Sequence, residues 1–373
     1  AAATSSAARP EVVGHLELTY ATQYEVDYLA DGTSLLTIGD DRYRLVSEDG
    51  SEDGTKTASL TDSDGTTIIQ TPVTDAYVAA SSCMDFFREL GALDRVRMTS
   101  TKAQDWSLPE VVSALDAGDI RYVGKYSAPD YELVLSEGTD LVIESTMIYH
   151  APEVAERLTA LGMPVLVERS SYEENPLGRL EWIKLYGLLT GQLDRAERFF
   201  DEQIATVDDV VDRVSKQHAG ETDPSERPSV AFFSLAASNH ATVRKPGDYV
   251  SQMIGLAGGR YFLDGEEPPD DTALSTMSME MESFYEAARD TDVIIYNSAI
   301  DTELESVDDL VGKAARLADF KAVREDKVWC TGKDLFQQPT CLARMIAEMS
   351  EVFAGTAGDG ANLEHLYHVG WYK

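Results

Sequence analysis

The sequence predicts an α/β protein in which two lobes, each with a parallel β-sheet, are joined by a long backbone helix and preceded by an antiparallel β appendage. Short apolar strands alternate with helical segments on both sides of the chain's centre, which is typical of parallel sheets covered by helices. A long amphipathic run over residues 192–217 separates the two halves. The chain of 373 residues also exceeds what one hydrophobic core usually serves, so two domains are expected.

Residues 1–75 predict a flexible tether followed by β-hairpins. The first eight positions hold only Ala, Ser and Thr, small residues like those of the tether that follows a removed export signal. The next segments are rich in Tyr, Thr, Val and Leu and are separated by turn sequences such as Asp31-Gly32. The acidic stretch 51–65 predicts an exposed loop. The predicted strands are Leu16 to Tyr20, Tyr24 to Tyr28, Ser34 to Ile38 and Arg42 to Val46.

Residues 76–174 predict the first α/β lobe, a Rossmann-like unit. Strand, loop and helix follow one another from Ala76, and glycines such as Gly91 and Gly162 close two of the helices. The alternation indicates a parallel sheet with helices on both faces. The predicted strands are 77–80, 96–98, 122–123, 140–144 and 165–167, and the predicted helices are 83–90, 108–117, 131–136 and 151–161.

The connector, residues 175–218, predicts a rigid helical link. Apolar residues recur on one stripe at intervals of four, three, four and three, and neither Pro nor Gly interrupts residues 192–217. A helix of that length spans roughly 39 Å at about 1.5 Å per residue. The alternative is a long surface helix of a single domain. The residues of the stripe are Phe200, Ile204, Val207, Val211 and Val214.

Residues 228–373 repeat the pattern and predict a second Rossmann-like lobe. Apolar strands again alternate with helical segments, so a second parallel sheet is expected. The predicted strands are 229–233, 292–296 and 328–330, and the predicted helices are 249–256, 311–317 and 339–353.

Ligands of open parallel sheets bind beyond the carboxyl ends of the strands, which selects a set of loop residues. Aromatic rings there suit a large flat ligand, cationic side chains pair with an anionic chelate, and imidazole ligates metals or haem iron. The alternative is that the aromatic residues pack their loops and the histidines are merely solvated. The candidate ligand-binding residues are Lys102, Trp106, Tyr126, Tyr149, His150, Tyr172, His240, Arg244 and Tyr261.

Composition argues against several classes of function. The 66 acidic residues outnumber the 31 basic ones, so the surface repels nucleic acids and anionic lipids. Neither a Walker sequence nor a nucleophile elbow is present, so no catalytic residue, resident metal or intrinsic cofactor is assigned. Three cysteines do not make a disulfide scaffold, although a Cys330–Cys341 bridge stays possible; free thiols are the default.

Several passages together resemble one family. These are Leu90-Gly-Ala-Leu-Asp94, Glu137-Gly-Thr-Asp-Leu-Val-Ile143, the "helix, Gly, Pro, strand" passage 158–166, and the "Glu, helix, Asp, strand" unit 281–297. Their order over residues 76–355 resembles the helical-backbone, or class III, substrate-binding proteins of ABC importers, which serve ferric siderophores, haem, cobalamin and metal ions. Residues 175–191 resemble its iron-compound subgroup. The first 75 residues depart from the common fold, and the loop 99–106 lacks the usual Pro-rich passage, which leaves the ligand open.

The resemblance implies a monomeric extracytoplasmic receptor, periplasmic or anchored as a cell-surface lipoprotein. It would capture an iron compound, a ferric siderophore or haem, in a cleft between the lobes without chemical conversion. It would then deliver this ligand to an ABC permease and its ATPase, with Asp85 and Glu282 at helix starts as permease-docking carboxylates. Acidic residues are also favoured there by the helix dipole alone. The alternatives are a two-lobed metal-dependent lyase or reductase, and a haem-scavenging surface module without a permease.

Overall fold

The computed structural model describes residues 10–47, 60–62, 65–219, 226–236, 240–267, 275–300, 303–358 and 363–370. The chain folds into two compact units, of which the first contains residues 1–171 and 181–197 and the second contains residues 172–180 and 198–373. The boundaries expected near residues 76, 175 and 228 stay a prediction. Among the described residues, no helix combines the length and the apolar character that a membrane span needs.

The N-terminal sheet belongs to the first unit and is mixed rather than purely antiparallel. Its first four strands pair antiparallel in sequence order, but the last strand lies parallel to the fourth. The predicted strand at 16–20 is wrong, because the backbone N–H groups of Thr19 and Tyr20 bind the Glu181 carboxylate instead of a neighbouring strand. Most of the predicted loop 51–65 lies outside the described residues. The strands are β1 (Val12–His15), β2 (Tyr24–Leu29), β3 (Ser34–Ile38), β4 (Asp41–Ser47) and β5 (Thr67–Thr71).

The first α/β lobe forms the parallel sheet that its sequence predicts. One face carries an apolar cluster that includes Tyr77, Val142 and Leu158, so the core lies between this face and the helices that cover it. The strands are β6 (Ala76–Val78), β7 (Val96–Thr99), β8 (Arg121–Tyr122), β11 (Leu141–Ser145) and β12 (Val165–Glu168), with the short hairpin β9 (Gly124–Lys125) and β10 (Ala128–Pro129). Their order is β12-β11-β6-β7-β8. The helices are α1 (Cys83–Glu89), α2 (Pro109–Ala117), α3 (Tyr131–Glu137) and α4 (Pro152–Ala160).

The connector is helical, as predicted. It consists of α5 (Pro176–Glu181), α6 (Ile183–Thr190) and α7 (Leu193–Gln217). Gly191 ends α6 with a φ of 68°, a left-handed conformation that glycine adopts without a steric cost. Along α7, Phe200, Val207 and Val214 are buried as the spacing predicts, whereas Val210 rather than Val211 completes the buried stripe.

The second lobe has a mixed sheet, which corrects the expectation of a wholly parallel one. The four strands β13 (Ser229–Ala236), β15 (Arg260–Tyr261), β17 (Val293–Tyr296) and β18 (Val328–Thr331) are parallel. Strands β14 (His240–Arg244), β16 (Thr276–Glu280) and β19 (Leu366–His368) are antiparallel to their neighbours. Strand β14 was predicted as part of a loop, yet it pairs with the centre of the sheet through β13. The order is β16-β14-β13-β17-β18-β19, with β15 beside β13.

Two of the three helices predicted for the second lobe lie where they were predicted, at 249–256 and within 339–353. The third, predicted at 311–317, is displaced, because a capping box of Ser306 and Asp309 starts the helix four residues earlier. This helix ends at Lys313, and a 3₁₀ helix follows at Ala315–Asp319. All three cysteines are buried and none is in a disulfide, so Cys330 and Cys341 are not bridged. The helices are α8 (Tyr249–Leu256), α9 (Met281–Ala288), α10 (Val307–Lys313), α11 (Lys321–Arg324), α12 (Asp334–Gln337) and α13 (Leu342–Phe353).

Candidate functional site

The carboxyl edge of the first parallel sheet holds a buried acid that the sequence did not single out. Glu144, near the end of β11, is fully buried, and neither carboxylate oxygen has a hydrogen-bond partner among the described residues. Burial raises the pKa of Glu144 to about 8, so the carboxyl group is mostly uncharged at neutral pH. Tyr77 on β6 hydrogen-bonds Ser100 at 2.6 Å, and burial, with a smaller effect of Glu144, raises the pKa of its phenol.

Two of the ligand-binding residues predicted in the first lobe, Trp106 and Lys102, contact residues of their own loop or of a neighbouring strand. Trp106 is only 7% exposed and donates its indole N–H to the Thr101 carbonyl at 3.2 Å, which matches the alternative of loop packing. The Lys102 ammonium lies 6.0 Å from the centre of the Tyr122 ring, at the outer limit of a cation–π contact. Lys102 is exposed and remains accessible to a ligand.

The other predicted aromatic residues and His150 differ in exposure. Tyr126 is half-buried and packs against the apolar core of the first lobe. Tyr149 and His150 end a short 3₁₀ helix and are exposed, and Tyr149 lines a groove of about 820 Å³ between the N-terminal sheet and α4. Tyr172 is half-buried at the start of the second unit. His150 and Tyr149 are therefore the most accessible of these candidates.

The three second-lobe candidates, His240, Arg244 and Tyr261, lie on strands rather than in loops. His240 begins β14, and its Nε2 lies 2.8 Å from the Glu280 carboxylate on β16, its partner in the sheet register. Tyr261 lies on β15, is fully buried and donates its hydroxyl hydrogen to the Arg244 carbonyl at 2.8 Å. The expectation of Tyr261 as an exposed loop aromatic is wrong, because pairing of β15 with β13 draws its ring into the core.

Arg244 is also buried, and it forms part of an arginine–tyrosine cluster with Arg179, Asp248 and Tyr249. The Arg244 guanidinium bonds both oxygens of Asp248, at 2.8 and 2.6 Å. The guanidinium carbons of Arg179 and Arg244 lie 4.1 and 4.8 Å from the centre of the Tyr249 ring. Phe336, in the segment after β18, lies 5.9 Å from Arg244, so the cluster reaches the carboxyl edge of the sheet. Cation–π contacts of this kind contribute about 0.5 to 2 kcal/mol each.

The arginine–tyrosine cluster contains the guanidinium groups of Arg179 and Arg244 and the carboxylate of Asp248, which pairs with Arg244. Arg179 Nε and the Tyr249 hydroxyl are buried without a hydrogen-bond partner among the described residues. Burial raises the pKa of Tyr249, while the two guanidinium groups act in the opposite direction. Such a cluster can hold an anionic group through charge-assisted hydrogen bonds. Arg179 lies in the connector segment, where the sequence offered no signal for it.

The two predicted docking carboxylates are in different environments. Asp85 is completely buried and accepts hydrogen bonds from Arg88, at 2.8 and 2.7 Å. Its assignment as an exposed docking residue is wrong, because the first turn of α1 faces the core. The Glu282 side chain is 75% exposed and lies 3.2 Å from Arg316. Glu282 therefore remains accessible to a partner.

Comparison with known proteins identifies one protein family and a relative of low sequence identity. The model of the periplasmic binding protein family matches residues 78–335, more than half of the chain. An uncharacterized lipoprotein of Methanocaldococcus jannaschii, MJ0872, is 24% identical over 277 residues, which are 72% of this chain and 66% of that protein. The chain thus spans less than two thirds of this relative's length.

Solved structures share the fold at low sequence identity. The periplasmic haem-binding protein HutB of Vibrio cholerae is 17% identical, with a TM-score of 0.58 over 74% of this chain and 98% of HutB. The molybdate-binding protein MolA of Haemophilus influenzae is 13% identical, with a TM-score of 0.59 over 79% of this chain and 90% of MolA. The resemblance to class III substrate-binding proteins is confirmed, and the chain belongs to the periplasmic binding protein family.

Proposed function

We propose that this chain is the extracytoplasmic substrate-binding protein of an ABC importer. It captures an iron compound, a ferric siderophore or haem, and presents it to a membrane permease and its ATPase without converting it. The observation that carries the proposal is the family match over residues 78–335. The haem-binding description of HutB supports an iron compound, and the lipoprotein description of MJ0872 supports attachment outside the cytoplasm.

The composition of the arginine–tyrosine cluster is consistent with an anionic ligand. The cluster contains two guanidinium groups and one carboxylate, although the whole chain has a net charge of −35. Haem propionates and carboxylate siderophores supply a negative group that could accept a hydrogen bond from Arg179 Nε, which has no hydrogen-bond partner among the described residues. The exposed His150 supplies an imidazole of the kind that ligates haem iron.

Titration of the purified protein tests the ligand class. Haemin, a ferric carboxylate siderophore and molybdate are each added while absorption and the fluorescence of Trp and Tyr are recorded. We expect saturable quenching with haemin or the siderophore, at a Kd in the micromolar range or below, and no conversion of the ligand. Saturation by molybdate alone would mean that the ligand is an oxyanion and not an iron compound. Turnover of any ligand, or no response to all three, would contradict it.

Replacing Arg179 with methionine should weaken binding of the anionic ligand. A hydrogen bond to a charged group contributes about 1.5 to 3 kcal/mol, so the Kd should rise roughly 10- to 100-fold. The matched control is Arg213→Met, which removes an exposed arginine from α7 in the same unit. Equal affinity of both variants and the wild type would exclude the arginine–tyrosine cluster from ligand binding.

Reversing the charge at Glu282 should abolish delivery without affecting capture. Glu282→Lys places a cation where we propose that permease arginines bind, and the side chain is exposed enough for the fold to tolerate it. Glu286→Lys, one turn further along α9, is the control. The measurements are ligand uptake in cells and Kd in solution. Full uptake by the Glu282→Lys variant would remove this residue from the docking surface.

A further inference from the structure

Three side chains of different chemistry converge beyond the carboxyl end of β18. Asp334 starts α12, Cys341 ends the 3₁₀ turn that precedes α13, and His365 directly precedes β19. One potential ligand atom from each residue lies within 4.8 Å of the other two. The residues are far apart in sequence, so their convergence results from folding of the second unit. Neither the sequence patterns nor the proposed capture of an iron compound explains why these three side chains lie together.

The chain holds His365 in place through a buried carboxylate. Glu348 on α13 is fully buried and accepts the backbone N–H groups of Glu364, His365 and Leu366, at 2.9, 3.0 and 3.1 Å. Arg344 pairs with the same carboxylate at 3.1 Å. The backbone of His365 is thereby tied to α13, the helix that follows Cys341. Such supporting hydrogen bonds are what orient ligands at metal sites.

Asp334 has a carboxylate oxygen that lacks a partner. Its Oδ2 is hydrogen-bonded to His365 Nδ1, but its Oδ1 is buried with no hydrogen-bond partner among the described residues. Gly332 leaves the space that Oδ1 occupies, since a Cβ at this position would overlap it. A buried oxygen without a partner is costly in free energy, and a bound cation would satisfy it.

The donor set indicates the kind of cation. Thiolate, imidazole and carboxylate together are the ligands of zinc and similar divalent transition metals, whereas calcium and magnesium prefer oxygen alone. The Cys341 thiol now donates to the Gln338 carbonyl at 2.8 Å, and a metal ion would replace that hydrogen. Tetrahedral zinc bonds of about 2.0 to 2.3 Å separate ligand atoms by roughly 3.5 Å, so shifts of about 1 Å suffice to close the site.

The surroundings favour a cation. A groove of about 570 Å³ lies beside the cluster and is lined by Gly332 and by the exposed residues Glu303, Glu305 and Glu364. Their carboxylates concentrate cations locally. The Asp334 and His365 side chains keep 12% and 11% of their surface exposed, which leaves a route for an ion.

We infer that Asp334, Cys341 and His365 form a binding site for a zinc-like divalent metal ion, with a fourth coordination position open to water or another ligand. Three protein ligands and one open position are the arrangement of accessible zinc sites. None of these three residues takes part in the proposed capture of an iron compound.

Cobalt substitution tests the site directly, because a thiolate bound to Co²⁺ gives a charge-transfer absorption band. Metal-free full-length protein is titrated with Co²⁺ and then with Zn²⁺, without any iron compound. We expect one Co²⁺ per chain, a thiolate band, and displacement by Zn²⁺. Cys341→Ser should lose the band. Cys330→Ser, which alters a buried cysteine of β18 in the same unit, should keep it.

Two further variants keep the test decisive if Cys341→Ser does not fold by circular dichroism. His365→Gln and Asp334→Asn should each weaken Co²⁺ binding at least about 10-fold. Absence of the band in the wild type, its persistence in Cys341→Ser, or undiminished affinity in His365→Gln would overturn the inference. Because only metal is added, these outcomes are independent of whether the iron-compound proposal holds.

Discussion

Replacing Glu181 with alanine is expected to lower the free energy of unfolding by about 3 to 5 kcal/mol, the usual cost of breaking a buried ion pair from one side. Glu181 is fully buried. Its carboxylate accepts backbone N–H groups of Thr19, Tyr20 and Ala21 at 2.7 to 3.0 Å and pairs with Lys184 at 2.8 Å. Alanine would remove the carboxylate that pairs with the Lys184 ammonium and that accepts the three backbone N–H groups.

The same contacts attach the N-terminal sheet to Glu181 and Lys184 of the connector, which belong to the first unit. The segment between β1 and β2 is anchored by the Glu181 carboxylate, and the Lys184 ammonium also bonds the Glu17 carbonyl at 3.0 Å. The Tyr24 hydroxyl donates to the Glu181 carbonyl at 3.0 Å. Loss of the carboxylate should therefore loosen this sheet before the α/β lobe itself unfolds.

Denaturant unfolding and hydrogen exchange measure the effect. Glu181→Gln, which retains one acceptor oxygen, should lose less stability than Glu181→Ala and remains measurable if the alanine variant does not fold. Glu202→Ala, which removes an exposed carboxylate from α7, should differ from the wild type by no more than about 0.5 kcal/mol. A Glu181→Ala variant as stable as Glu202→Ala would contradict the anchoring role.

The stability of the wild type, relative to a Glu144→Gln variant, is expected to fall as pH rises from about 5 to about 8. The pKa of Glu144 is about 8 in the folded chain, against an ordinary value of 4.5. In this window the folded state holds a proton that the unfolded state has released. The contribution is therefore fully present below pH 4.5 and is lost as pH rises to about 8, by on the order of 5 kcal/mol in total.

Unfolding free energies at several pH values between 5 and 8 measure this difference. The glutamine side chain does not titrate, so other ionisable groups cancel in the comparison. Glu132→Gln, an exposed substitution on α3, should follow the wild type at every pH. A constant difference between the wild type and Glu144→Gln would mean that Glu144 is already ionised in the folded protein.

The sequence predicted those strands and helices in which burial imposes a regular pattern of apolar residues. Strands β11 and β17 each have a parallel neighbour on both sides and contain unbroken apolar runs, 141–143 and Val293–Tyr296. The apolar stripe of α7 recurs at helical spacing. Such patterns can be recognised from residues that are close together in the sequence. Strand β14 escaped prediction because its flanks resemble loop sequence, and its pairing with β13 and β16 decides its conformation.

By itself, the sequence determined the alternation of strands and helices, the long connector helix, the two-lobed α/β architecture and the resemblance to substrate-binding proteins. Tertiary structure alone decided which polar groups are buried and with which partners. It buried Asp85 in the core, and it placed Arg179 against Tyr249 and Asp334 next to His365. The physical reason is that periodicity is a local property of the chain, whereas the environment of a charge depends on residues that only folding brings together.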